Sequence, residues 1–420
     1  MKIGYFKIDI TPEFPVELSG YGFYLKRKSK GVHDPIFSKS IYLRDNFSNE
    51  ILIISCDLIG INREVIVRIK EKISKKTGIP SENIAISSTH THSGPASLYL
   101  EGLGEINKKY LKILEEKIVT SGVKAKENSL EGKIGFAKTK VDISYNRENE
   151  KGPCDKGLRI IYLKNKNNSI VVYNYSCHCI ALGKDNCLIS ADWPYYSNKK
   201  LEGYGSEGVF LQGFCGDINI KEGWQKDFYK AEYYGGILGE EIIKKLKGIG
   251  LKDMEIKIKS KIINLPMKIP DKEDIEEFYK EWKEKDSHWP NWHKFIDRWR
   301  KINLLKIGKN CRDFLPTEIK VIGFGKESCC FIVGGEIFNG FALEIKKISP
   351  FKYNFFISYS NDYVGYIPTK NDFFKGRFYA SKVAPMFTNF FPFKENVGDI
   401  LIEGFKELIG SLKKGSFTKK

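Results

Sequence analysis

The sequence predicts an α/β fold: a single large domain over residues 1–420, with a mixed β-sheet flanked by helices and a helical insertion at about 268–312. Three observations predict it. Short apolar runs at 51–55 and 84–88 bracket an amphipathic helical repeat, so the two strands should lie parallel with a right-handed crossover. Further apolar runs at 158–163, 171–177, 209–212 and 330–333 alternate with helical stretches such as 107–125 and 231–247. From 268 to 312 the composition turns charged and aromatic, with Phe278/Trp282 and Phe295/Trp299 each at helical spacing, as on two helices joined near Trp289-Pro290.

Asp9-Ile10-Thr11-Pro12 and Leu18-Ser19-Gly20-Tyr21-Gly22 read as turns suited to a pocket floor. The run Ile51 to Ser55 is β-branched, as in a strand buried on both faces. Asn62 is placed to cap a helix whose apolar positions are Val65, Ile66, Ile69 and Ile73, and Gly78 ends it. The second strand leads into Ser87-Ser88-Thr89-His90-Thr91-His92-Ser93-Gly94-Pro95, which holds two of only six histidines. In an extended chain residues i and i+2 share a side, so His90 and His92 would aim both imidazoles at one point. That point lies at the carboxyl end of a parallel strand, where open α/β sheets place ligands. Metal ligation is one reading of the pair, and hydrogen-bonded core or surface histidines the other.

Tyr110, Leu111, Leu114, Ile118 and Val119 mark one face of the next helix. Strand-like pieces at 132–145 and 158–163 follow, and Arg147 stands at a loop mouth, either an anchor for substrate or a solvated charge. The run at 171–177 puts His178 at a strand end, with Cys177 and Cys179 pointing away from it by alternation. Asp192 can cap the next helix or support a histidine ligand from behind. The strand at 209–212 ends in Gly213-Phe214-Cys215-Gly216-Asp217-Ile218-Asn219, where glycines let backbone N–H groups approach a substrate. Glu336 follows Gly334-Gly335 at another strand end, as a metal ligand or a solvent-facing carboxylate. The aromatics of the insertion can line a pocket, form a subunit contact or pack against the main body, and packing is the expectation. His33 is expected to be structural.

Sixty-nine Lys and Arg against 52 Asp and Glu give a net charge of +17, but the lysines are spread along the chain, so nucleic acid is not an expected partner. No span approaches the roughly 20 apolar residues of a membrane helix, and the N-terminus lacks a signal-peptide core. A cytoplasmic location is expected, with the nine cysteines as reduced thiols.

Together, Asp9-Ile-Thr-Pro12, Ser88-Thr-His-Thr-His-Ser-Gly-Pro95, His178, Ser190-Ala-Asp192, Gly216-Asp217, Gly335-Glu336 and Gly365-Tyr366-Ile-Pro-Thr369 resemble, in order and over roughly residues 4–380, the N-terminal catalytic domain of the neutral/alkaline non-lysosomal ceramidases. The resemblance implies one zinc ion per chain, held by His90, His92, His178, Glu336 and Tyr366. It implies hydrolysis of a linear amide of an N-acyl compound by a zinc-activated water. Esters or short peptides, or a catalytically inactive metal-binding role, are the alternatives. Two positions depart from the pattern. Asn219 stands where the family has a serine, and Phe378 where it has a tyrosine, with Tyr379 adjacent. Asp217, Asn219, Arg147 and Tyr379 are therefore the expected catalytic set, and ceramide itself is not the expected substrate. The immunoglobulin-like C-terminal domain of characterised ceramidases is not expected within these 420 residues.

Overall fold

The computed structural model describes the chain except residues 285–288, 290, 308, 310, 376–378, 389 and 415–420. An eight-stranded mixed sheet forms from β1 (Lys2–Asp9), β2 (Phe37–Arg44), β3 (Glu50–Cys56), β4 (Ile84–Ser88), β5 (Leu130–Lys140), β6 (Gly157–Asn165), β7 (Ser169–Tyr175) and β8 (Glu207–Gln212), in the order β8-β7-β6-β5-β1-β2-β3-β4. Its interior pairs are antiparallel and its two outermost pairs are parallel, with Leu52 opposite Ile84 in one and Glu207 opposite Ile170 in the other. The predicted strand–helix–strand unit is thus present. Its helix α1 (Arg63–Thr77) buries Val65, Ile66, Ile69 and Ile73 and stops at Gly78, whose φ of 75° is the left-handed C-cap that glycine adopts without strain. Asn62 occupies the N-cap position, but its side-chain oxygen accepts from Tyr99 N instead of capping the helix.

Alternation along the strands sends side chains to both faces, and each face has its own cover. On one side, α1 and α2 (Lys108–Glu127) close over Leu52, Ile54, Ile84 and Ile86, while α3 (Trp193–Gly203) and α4 (Tyr229–Leu246) close over Ile160, Val171, Tyr173 and Phe210. On the other side the partner is a second sheet that the sequence reading did not anticipate. It comprises β9 (Ile256–Pro266), β10 (Phe314–Phe324), β11 (Ser328–Val333) and β12 (Tyr353–Ile357), in that order. Ile41, Leu43, Ile51 and Ile53 of the large sheet pack there against Ile322, Phe324, Cys330, Ile332 and Phe355. Face-to-face sheets with helices outside make a four-layer α/β/β/α body.

The insertion leaves β9 at its end and rejoins β10 opposite, where Pro266 pairs with Phe314. It contains α5 (Lys272–Glu284) and α6 (Trp292–Ile307). Trp292, Phe295 and Ile296 are buried against the outer face of the small sheet's layer, together with α7 (Asn339–Ile348) and α8 (Val397–Lys414). Pro290, at the expected helix joint, lies outside the described residues. All nine cysteines are free thiols. Among the described residues no helix is long and apolar enough to cross a membrane.

Candidate metal centre

The two parallel strand pairs run in opposite directions within the large sheet, but their carboxyl ends meet, with Gln212 Nε2 donating to Thr89 O at 3.0 Å and Thr91 bridged to Cys179, and the histidines follow them. β4 stops at Ser88, and the chain then turns instead of continuing extended. His90 has φ 63°, a left-handed conformation that costs a non-glycine residue about 1–3 kcal/mol. The convergence of His90 and His92 therefore arises from this turn, a correction to the i, i+2 strand argument. The turn is held by His90 N bonding Leu58 O and by the imidazole Nδ1, 2.6 Å from Ile59 O. A carbonyl can only accept, so Nδ1 carries the proton and Nε2 presents a lone pair. His178, just beyond β7, is fixed the same way, with Nδ1 2.9 Å from Ile218 O. Trp193 Nε1 donates to the His178 carbonyl, 3.1 Å away. Asp192 does not back a histidine ligand. Its carboxylate accepts from Ala181 N, Leu182 N and Trp193 N, which caps α3 and sets the chain after His178.

His90, His92 and His178 form a group whose ligand atoms all lie within 4.8 Å of one another, a set able to hold a metal ion. His90 Nε2 and His92 Nε2 are 3.2 Å apart, and His178 Nε2 is 3.1 Å from Glu336 Oε2. His90 Nε2 stands 3.6 Å from Glu336 Oε1. Lone pairs facing one another and a carboxylate are mutually repulsive, so this arrangement fits a cation between them. Gly20 permits it: at φ 106° its backbone passes so close to the His92 ring that a Cβ would lie 2.4 Å from Nδ1. That Nδ1 is buried without a hydrogen-bond partner among the described residues.

Burial pushes His90 down to about 4, and burial together with His90 and His178 pushes His92 well below the ordinary histidine value. Both rings are therefore neutral at physiological pH, as a ligand imidazole must be. Burial alone would raise Glu336, but His90, His178 and the Tyr363 hydroxyl outweigh it and hold the carboxyl well below the usual carboxylate range. Glu336 begins a two-residue parallel ladder with Tyr366, the fifth expected ligand, directly opposite. Two residues the sequence reading missed complete the cradle. Tyr363 Oη donates to Glu336 Oε1 at 2.5 Å, and Tyr359 Oη to Oε2 at 3.3 Å while its ring stacks on His90 with centroids 4.1 Å apart. The signal was present as three tyrosines within eight residues, Tyr359, Tyr363 and Tyr366.

A cavity of about 710 Å³ opens above this cluster, lined among others by Tyr21, His92, His178, Arg147, Tyr366 and Tyr379. Arg147 is no surface charge. Its guanidinium donates to Gly216 O at 2.7 Å and Tyr366 Oη at 3.1 Å, and lies over the Tyr366 and Tyr379 rings. Although burial opposes its charge, Tyr366, Tyr379 and Glu336 keep it protonated. Tyr379 meets Tyr366 edge to face at 5.5 Å and lines the cavity beside this candidate ligand. Phe378 lies outside the described residues.

Two expected catalytic residues are not among those lining the cavity. Asp217 accepts from Asn339 N at 2.6 Å and from Asn146 Nδ2 at 2.7 Å, so it ties the Arg147 loop to the start of α7 and acts as a strut. Burial pushes it up to about 7. Asn219 lies in a short ladder opposite Tyr145, and cross-strand partners share a face; Tyr145 lines the cavity. Both amide atoms of Asn219 are buried without a hydrogen-bond partner among the described residues. His33 is structural as expected, bonded to Asp34 and stacked on Phe228.

Residues 1–214 match the family model for the N-terminal domain of neutral/alkaline non-lysosomal ceramidases, a span that contains His90, His92 and His178. A neutral ceramidase of Drosophila pseudoobscura pseudoobscura is 26% identical over 254 residues, 52% of this chain and 36% of that protein. Neutral ceramidase 3 of Arabidopsis thaliana is 29% identical over 149 residues, 33% of this chain and 20% of that protein. The chain thus matches about a third or less of the length of these relatives. The fold is similar along the whole chain to the crystal structure of neutral ceramidase from Pseudomonas aeruginosa, with a TM-score of 0.74, 17% identity and 75% of that chain covered. With half of its length matched by the family model and its histidine cluster inside the match, this chain belongs to the neutral/alkaline non-lysosomal ceramidase family.

Proposed function

We propose that this protein is a zinc-dependent amidohydrolase that cleaves the amide of an N-acyl compound. The observation that carries the reading is the convergence of three imidazoles and one ionised carboxylate at the base of a cavity. Zinc suits the donor set, because nitrogens and oxygens about 2.0–2.1 Å from a tetrahedral zinc stand about 3.3 Å from one another. Three separations among these donors are 3.1, 3.2 and 3.6 Å, and the histidine ligand atoms all lie within 4.8 Å of one another. His90, His92, His178 and Glu336 would hold the ion, with Tyr366 beside them. Zinc in such a site polarises a carbonyl and makes water a usable nucleophile near neutral pH.

The chain's own groups orient and stabilise. The Tyr379 hydroxyl, pushed up to about 12 chiefly by burial, stays protonated and donates to the scissile carbonyl oxygen, with the Arg147 charge behind it. Asn219, where the family pattern has a serine, lies opposite the cavity-lining Tyr145 in their ladder and is the amide that would stand in for the hydroxyl. A fixed amide donor to an oxyanion contributes roughly 3 kcal/mol in other enzymes. The relatives are named as ceramidases, and an acyl amide is the bond this reading carries over. Arg147, Glu148 and Glu150 line a polar part of the cavity, and with the amine placed there a smaller or more polar amine than a sphingoid base is favoured. Zinc-loaded protein is assayed on a panel of N-acyl amides, ceramide and simple esters. Amide turnover that stops on chelation and returns with zinc supports the reading. Metal binding without turnover on any member replaces it with the inactive metal-binding alternative.

A further inference from the structure

The cavity is not uniform. Arg147, Glu148 and Glu150 line one part, and Phe23, Leu103, Trp282, Trp289, Val383 and Phe387 line another. Tyr379 is the seam. Arg147 lies 5.4 Å from its ring centroid, Trp289 meets the same ring edge to face at 5.7 Å, and Phe387 lies 6.2 Å away. The apolar part is continuous, since Phe23 contacts Trp289 at 5.4 Å and Phe387 at 6.3 Å. Both tryptophans belong to the inserted hairpin and not to the α/β/β/α body.

The hairpin is fixed with respect to the histidines. Phe295 of α6 stacks on Phe23 with centroids 3.7 Å apart, and Asn291 Nδ2 donates to Phe23 O at 2.8 Å. Arg298 pairs with Glu101 at 2.6 Å, and the same carboxylate accepts from Tyr24 and Tyr99. Trp292 Nε1 donates to Trp282 O at 2.7 Å, so the two helices hold each other. Phe23 is three residues from Gly20, which packs directly on His92. One short loop therefore sets the distance from the tryptophan wall to the candidate metal ligands, and with it the place of an acyl chain relative to the bond to be cut.

We infer that the α5–α6 hairpin is the acyl-selecting element of this protein, with Trp282 and Trp289 forming the wall against which an unbranched apolar acyl chain lies. This rests on the amidohydrolase reading and adds which part of the substrate the insertion recognises. Buried methylenes then contribute about fourfold each to kcat/KM until the wall ends. The test uses the full-length zinc-loaded protein and p-nitroanilides of acetic, butyric, octanoic and palmitic acids, with Trp289→Ala, Trp282→Ala and Trp289→Phe beside wild type. The expected result is a steep rise from acetyl to octanoyl in wild type, mainly in KM. That rise flattens at least tenfold in either alanine variant and is retained in Trp289→Phe. An acetyl-to-octanoyl ratio unchanged in both alanine variants overturns the inference while leaving the hydrolase reading intact. If no anilide is turned over, that reading has failed separately, and calorimetric binding of octanoate decides the present one: a loss of affinity of at least tenfold in the alanine variants supports it, and equal affinity overturns it.

Discussion

Tyr363→Phe removes one oxygen atom and tests how the candidate centre is built. In the structure that hydroxyl donates to Glu336 Oε1 at 2.5 Å, and His90 Nε2 approaches the same oxygen at 3.6 Å. A hydrogen bond to a charged group contributes about 1.5–3 kcal/mol. Loss of an outer partner of a metal-ligating carboxylate weakens metal affinity about 10–100-fold, or roughly 1.4–2.7 kcal/mol. The two magnitudes agree, so Tyr363→Phe should raise the zinc dissociation constant by one to two orders of magnitude. Tyr359→Phe should cost less than tenfold, because its hydroxyl is 3.3 Å from Oε2, an oxygen His178 also approaches. Chelator competition at fixed pH measures both. Tyr363→Phe with affinity within twofold of wild type would refute the assignment of Glu336 as a ligand tuned by that hydroxyl. Equal losses in the two variants would refute the distance argument.

His90→Ala together with His178→Ala should abolish zinc binding with the fold retained, checked by elemental analysis and circular dichroism. Asn219→Ala should lower kcat on the best amide substrate by about 10²–10³-fold if the amide donates to an oxyanion, with KM little changed; an unaltered kcat assigns Asn219 to packing alone. Asp217, pushed up to about 7 by burial, keeps its proton in the folded chain after the unfolded chain has released its own near 3.8. Its contribution is therefore fully present below about pH 4 and is lost as pH rises towards 7. Asp57 and Asp192, each pushed up to about 6 by burial, slope the same way. Urea unfolding of the metal-free chain should accordingly show stability falling between pH 4 and 7, less steeply in Asp217→Asn, and an unchanged slope in that variant would contradict the assignment. Glu336, held low, acts in the opposite sense and only below about pH 4.5, so the two windows separate.

What was legible in the sequence was whatever periodicity or rarity encodes locally. The parallel pair at 51–55 and 84–88 followed from two short apolar runs around an amphipathic helix, and the two strands do pair in parallel, with Leu52 opposite Ile84. Six histidines in the whole chain made His90, His92 and His178 conspicuous, and the structure brings all three together. Glu336 and Tyr366, thirty residues apart, were paired by resemblance alone; the ladder that sets them opposite has two residues a side and no periodicity to detect. The second sheet escaped notice because β9, with Lys257, Lys259 and Lys261 at alternate positions, reads as a charged stretch, although it pairs over eleven residues with β10. Asp217 and Asp192 look like site carboxylates in the sequence, yet neighbouring backbone or side-chain amides hold both. Tyr379, which lines the cavity, begins a π-helical turn, Tyr379–Val383, a geometry with one more residue per hydrogen-bonded ring than an α-turn and invisible to residue counting.

The central claim is that His90, His92, His178 and Glu336 form a zinc site, and metal content measures it most directly. Protein purified without added chelator, and a second sample stripped and reconstituted with zinc, are analysed by inductively coupled plasma mass spectrometry beside the His90→Ala, His178→Ala double variant. The account predicts one zinc per chain in both wild-type samples and none in the variant. No bound metal in either wild-type sample, or equal zinc in the double variant, would contradict it.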